Sequence, residues 1–391
     1  MDELFPRVDP IPLPAPVWLF KLLHIVTLGL HFVAMEMLVG GLLVVAAMNL
    51  LALRQPKHPL ALSRAQTGQV LANRMPIVMT YVINLGVPPL LFTQVLYGRA
   101  IYTSSILIGL FWLAVIFLLA GCYWLLYRTS ARASANQPYW HVALAAWVLA
   151  VVIARIYATN MTLMLRPEVW NGLYINSPLG VQLPMDDPTT TPRWLFILAG
   201  GFTTAGFWLL WLAPSNKLFL DVQTYMSGLG GKLASIALLA QGACAYWVVS
   251  AQPPAVQDAL GQTLFTTLSG YVWVGCAALL FALALYSSLR RHPSRVIGWT
   301  GFAATCLAML AMTAFRDGLR DITLLTKGFD VWDRVVVTNW SVVAIFLILF
   351  VLGLGIIGWL LTVVLKAKPV ILGVDQSIFE SQSRAEVHAN E

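Results

Sequence analysis

Charge is the scarcest property of this sequence: Asp, Glu, Lys and Arg together make up 10% of its 391 residues. A soluble domain carries about a quarter charged residues, because its surface has to be wetted. With 59% hydrophobic residues and a mean hydropathy of +0.77, no single globular core can bury the apolar surface. Lipid is therefore the expected solvent. Cysteine is scarce too. Cys122, Cys244, Cys276 and Cys306 lie far apart inside apolar runs. No Cys-x-x-Cys, haem-attachment or Cys/His spacing occurs, which excludes a c-type haem, a zinc ribbon or a Cys-held iron–sulfur cluster on this chain. The four read as small buried hydrophobes. A basic n-region is missing as well: 1–16 carries acids and prolines, and the apolar run behind it is too long for a signal peptide. That segment is read as an extracytoplasmic N-terminal arm.

What the sequence does have is long apolar runs. Nine are expected to span a membrane, at about 17–52, 75–98, 101–128, 139–165, 192–214, 230–250, 262–287, 296–316 and 338–366. Each is roughly 20 residues or more, enough to cross ~30 Å of hydrocarbon. Pro88 and Pro89 are expected to kink the second run. The fold class is thus all-α and polytopic, with a membrane domain over 17–366. Spans one to four (17–165) and five to eight (192–316) can form two four-helix bundles, the last helix (338–366) lying outside them. The formal net charge is +7. Its bases sit mostly in short loops, where they orient a membrane protein rather than bind nucleic acid. Fourteen Lys and Arg fall on the side of the 367–391 tail and nine on the opposite side. Positive-inside then puts the N-terminus outside and the tail in the cytoplasm. The two longest loops, 166–191 and 317–337, fall outside and contain Trp and acids, as a docking surface for an extracytoplasmic partner would.

Ionisable groups at bilayer depth are costly, so each needs a partner or a task. Span one carries His24, His31 and Glu36; the two histidines are seven residues apart and share a helix face. Span four begins with His141 and carries Arg155 and Asn160. Bundle-facing histidines suit the iron of haem b, and equally a hydrogen bond to a neighbouring helix. Glu36 and Arg155 can pair with each other, handle a quinol proton, or meet a propionate. At the end of span eight, Arg316 and Arg320 stand one turn apart and can grip two carboxylates, as haem propionates require. A solvated helix end with local ion pairs, to Asp317 and Asp321, is the bland alternative.

The first four spans resemble subunit I of cytochrome bd quinol oxidase. His31-Phe32 followed by Gly40-Gly41 on span one is similar to that family's haem-ligating first helix. Gly86-Val87 through Tyr97-Gly98 is similar to its second helix, and Ala158, Asn160 and Pro167 to the end of its fourth. The likeness covers about 150 residues, with the helix count beyond them. It implies nine helices with the N-terminus outside, haem b with His31 on the iron, and a quinone or quinol as redox partner. The departures are as informative. The family's third helix bears acids near the oxygen-reducing haem, and 107–126 has none. Phe196 stands where the low-spin haem histidine belongs, and the quinol loop after helix six shrinks to 250–262 without a base.

The expected function is a membrane electron-transfer subunit of a respiratory complex, an oxidoreductase that does not reduce oxygen. It would sit in a bacterial cytoplasmic membrane and exchange electrons between the quinone pool and an extracytoplasmic redox subunit, a c-type cytochrome or an iron–sulfur protein. His31 is the metal ligand, with His24 and His141 as further candidates. Arg316 and Arg320 hold propionates, and Glu36 with Arg155 takes the proton or orients the quinone. Two alternatives stand beside it: a haem-free quinol-binding anchor of polysulfide-reductase type, and a secondary transporter coupled through Glu36 and Arg155.

Overall fold

The computed structural model describes residues 4–5 and 12–366, so the 367–391 tail and most of the N-terminal arm lie outside the described residues. Twelve helices follow in order: α1 (Val17–Arg54), α2 (Ala61–Ala72), α3 (Met75–Leu107), α4 (Gly109–Ser134), α5 (Trp140–Leu163) and α6 (Pro167–Asn176). The second half holds α7 (Thr190–Leu212), α8 (Leu220–Ser250), α9 (Pro254–Leu260), α10 (Leu264–Arg290), α11 (Arg295–Leu325) and α12 (Trp340–Lys366). Among the described residues nine helical stretches are long and apolar enough to cross a membrane, and no strand forms. The chain is an all-α polytopic membrane protein.

Helices α1, α3, α4 and α5 pack as one bundle and α7, α8, α10 and α11 as a second, joined by α1 against α7 and α11. About 61% of the most apolar window of α1 and of α7 is buried, against 17% for α4, α8 and α10. The join is therefore the centre of the molecule and the other helices its lipid-facing rim. Small residues make that join possible. A Cβ built on Gly40 would lie 1.8 Å from the Gly201 carbonyl oxygen of α7, and one on Gly29 would lie 2.8 Å from Leu310 Cδ2 of α11. Buried Asn49 of α1 fastens the first bundle, its Oδ1 accepting the backbone N–H groups of Tyr139 and Trp140 at the start of α5, both at 2.9 Å. Among the described residues helix α12 leans on α1 and α3 through its N-terminal half, where Val343 and Phe346 meet Leu19, Leu23 and Phe92.

Three expectations about boundaries are corrected. Helix α3 does not stop at Gly98; it leaves helical geometry at Tyr97 (φ −123°, ψ 27°) and resumes to Leu107, so the third span starts at Gly109. The turn read at Tyr97-Gly98 is a kink, because Tyr97 is wholly buried and anchors the chain instead of releasing it. Pro88 and Pro89 lie inside α3 and keep helical φ and ψ. Finally, the long loop expected from 317 begins only after Leu325. Asp317, Arg320 and Asp321 are the last turns of α11, with the first two buried.

The end of the molecule that carries 166–189 and 326–339 is tied down locally. Leu13 pairs with 335–337 through two backbone hydrogen bonds of 2.9 Å. Glu168 bonds Lys327 at 2.8 Å, and Arg166 bonds Asp186 at 3.0 Å. Burial lowers the pKa of the Arg166 guanidinium, but the carboxylates of Asp186, Asp187 and Glu168 outweigh it and hold the group above its ordinary value. Asp187 Oδ1 accepts the N–H groups of Thr189 and Thr190 at 2.7 and 2.9 Å and so starts α7.

Candidate functional site

A cavity of about 270 Å³ runs between α1, α3, α4, α5, α7 and α11. Its α1 wall extends from His24 to Val39, ~22 Å along the helix. Apolar side chains make most of the wall, among them Leu28, Met35, Met79, Val82, Cys122 and Met161. The polar groups gather toward one end: His24 and His31 of α1, Arg193 of α7, and Arg316 and Arg320 of α11.

The two histidines differ in what their rings have left to offer. His31 Nδ1 lies 3.0 Å from the Val82 carbonyl oxygen. A carbonyl only accepts, so Nδ1 carries the proton and Nε2 keeps its lone pair. Nε2 has no partner among the described residues. Gly86 makes the room, since a Cβ there would lie 2.8 Å from His31 Cε1. His24 donates from Nδ1 to the Pro89 carbonyl at 3.2 Å, and its Nε2 accepts from Arg320 Nη1 at 3.3 Å. Both of its nitrogens are therefore engaged.

Beyond His24 lies a buried polar cluster that joins α1, α3 and α11. Lys21 Nζ reaches Asp317 Oδ2 at 2.7 Å and Asp321 Oδ2 at 2.5 Å. The Tyr97 hydroxyl lies 2.8 Å from Asp321 Oδ1 and 3.1 Å from Asp317 Oδ1, and its ring lies under the Arg320 guanidinium at 4.7 Å. Helix α11 thus presents Asp317 and Asp321 to Lys21, and Arg316 and Arg320 to the cavity. The alternative of a solvated helix end does not hold: the local Arg320–Asp317 pair, at 3.7 Å, is part of one buried cross-helix network.

Several expected site residues fall elsewhere. Glu36 faces away from the cavity, into the α1–α7 join, where its Oε2 accepts from Thr204 at 2.7 Å. Arg155 donates to Thr191 at 3.2 Å and stacks over Trp194. Thr191 and Thr204 are 13 residues apart on α7, ~20 Å, so Glu36 and Arg155 form no pair. Neither lines the cavity. His141 is exposed at the start of α5, edge-on to Trp140 and apart from the other two histidines. Phe196 is packed beside Phe32, Met309 and Met312. Conversely, sequence reading passed over Lys21, Tyr97 and Arg193. Lys21 and Arg193 each sit within an apolar helix, where an ionisable residue is itself a signal.

The donor set is compatible with haem b. One imidazole nitrogen is unclaimed, its partner nitrogen is fixed by a backbone carbonyl as in other metal-binding histidines, and guanidiniums, which match carboxylates, line the same cavity. Only one of the two cavity histidines has a free nitrogen, so the fit is to a single His-ligated iron. Fold and site together define a polytopic helical membrane protein with an intramembrane cavity, apolar along its length and cationic toward one end. No family model matches the chain, and no curated protein matches it.

Proposed function

We propose that this chain is a membrane electron-transfer subunit similar to cytochrome bd subunit I. In this reading it holds haem b at His31 and exchanges electrons between the quinone pool and an extracytoplasmic redox subunit, without reducing oxygen. The observation that carries the reading is the His31 ring: Nδ1 tied to Val82, Nε2 unclaimed, in the wall of a mostly apolar cavity. When bound, haem supplies a one-electron relay within a region of low dielectric. The chain's own part is to orient. The Val82 carbonyl fixes the tautomer, the apolar wall excludes water, and Arg316 and Arg320 stand ready for propionates. With the N-terminus outside, as the distribution of bases suggests, the arginine end lies near the outer face and the loops 166–189 and 326–339 face a redox partner. The transporter reading has lost its coupling pair, since Glu36 and Arg155 bind different groups ~20 Å apart.

One further reading has an observation of its own. A neutral imidazole with its lone pair toward an apolar cavity also accepts the hydroxyl proton of a quinol, as a haem-free anchor would require. An absorption spectrum of the purified, dithionite-reduced protein separates the two. The haem reading expects an α band in the haem b region that disappears in His31→Ala while the chain still inserts. A spectrum retained in that variant would sink His31 as ligand. Absence of the band from wild type, with quinone extractable from it, would favour the anchor.

A further inference from the structure

We infer that the arginine end of the cavity binds a group carrying two negative charges, borne by an otherwise apolar molecule, and that Arg193 is a third cationic wall of this site. The inference rests on the cavity being the ligand site, as above, but not on the ligand containing iron.

Charge leads to it. Four cations meet here: Lys21, Arg193, Arg316 and Arg320. Among the described residues only Asp317 and Asp321 lie within ion-pair distance of any of them, Lys21 contacts both, and Asp187 acts on Arg193 only from beyond that distance. Two positive charges thus have no counter-charge at ion-pair distance among the described residues. Hydrogen bonding gives the same answer independently. Arg320 is 4% exposed, and its Nη2 is buried with no partner among the described residues. Arg193 donates from Nε to Thr189 at 3.3 Å, but its Nη2 is likewise buried and unpartnered. Among the described residues Arg316 meets the face of the Phe32 ring, at 5.7 Å, and has no hydrogen bond or ion pair of its own. It lies within electrostatic range of both Arg193 and Arg320. Three guanidiniums converging in a low-dielectric cavity repel one another, and unpaired buried donors are costly. Planar donor forks of this kind match carboxylate and phosphate oxygens. A neutral quinone leaves both charges standing. The ligand class is an amphiphile with a dianionic end, and two sources fit it: the paired propionates of a porphyrin, or the phosphomonoester of a phosphatidate-type lipid.

The test measures what the full-length protein retains when purified in mild detergent. Haem is quantified as its pyridine complex, lipid by phosphorus content, and total bound mass by native mass spectrometry. Arg193→Gln and Arg316→Gln are each expected to lower ligand content at least tenfold, with Arg316→Lys retaining most of it. The assay that falls identifies the source. A second measurement needs no variant: wild type stripped of ligand should bind iron protoporphyrin at least tenfold more tightly than its uncharged dimethyl ester. Equal affinity for acid and ester, unchanged ligand content in both glutamine variants, or a stoichiometric neutral occupant would each overturn the inference. If His31→Ala loses its haem while the arginine variants keep theirs, the haem reading stands and the dianion site falls. If wild type holds no haem but loses stoichiometric phosphorus with the arginines, the site stands and the haem reading falls.

Discussion

At the scale of single residues, His31 and His24 look alike in sequence, two histidines seven apart on one apolar helix. Their difference is made by neighbours that sequence does not place. Arg320 occupies the second nitrogen of His24, whereas nothing occupies that of His31. Gly86 is part of the same arrangement. An added methyl would lie 2.8 Å from His31 Cε1 and 2.9 Å from Nδ1, while the ring is held on the same helix by Val82. The ring would have to turn, losing that hydrogen bond and its rotamer, together on the order of 1–3 kcal/mol. Gly86→Ala is therefore expected to weaken retention of the cavity ligand about tenfold or more with the fold intact. The ratio of bound chromophore to protein, measured beside the melting temperature, checks this; undiminished retention would mean that ring position is not set by Gly86.

At the scale of elements, α11 carries the lesson. Its sequence end, Phe315 to Asp321, reads as a helix cap running into a loop, because two acids and two bases in seven residues look solvated. They are helical and mostly buried because Lys21, on α1, and Tyr97, at the kink of α3, supply the partners. Removing one partner of a buried pair leaves an uncompensated charge and costs about 3–5 kcal/mol. Asp317→Asn is thus expected to lower the melting temperature strongly. Asp321→Asn, at a side chain 19% exposed, should lower it less. Thermal unfolding of both variants in one detergent decides, and the reverse order would show that Asp317 is not the main counter-charge of Lys21.

At the scale of the whole molecule, orientation comes from the count of bases and is open to direct test. A reporter active only in the cytoplasm should be active after Lys368 and silent within 326–339, and a periplasm-specific reporter should behave oppositely. The reverse pattern would place the arginine end of the cavity at the cytoplasmic face, and the proposed redox partner with it. The two-bundle architecture makes α1 the central helix, shared by the cavity on one side and the α7 join on the other. This is why Glu36 and His31, five residues apart, serve different surfaces.

By itself the sequence determined the class of protein, the number of spans, and which short list of polar residues lay at bilayer depth, because hydropathy and charge are local sums that need no partner. It also put His31 and the α11 arginines among the candidates. Only the tertiary structure decided which of those residues meet. Glu36 goes to Thr204, Arg155 to Thr191, Lys21 to Asp317, and Arg193 joins Arg316 and Arg320 around one cavity. The physical reason is that a buried charge is satisfied by whatever lies across the helix interface. That is fixed by close approaches such as Gly40 on Gly201, and no pattern along one chain segment records it.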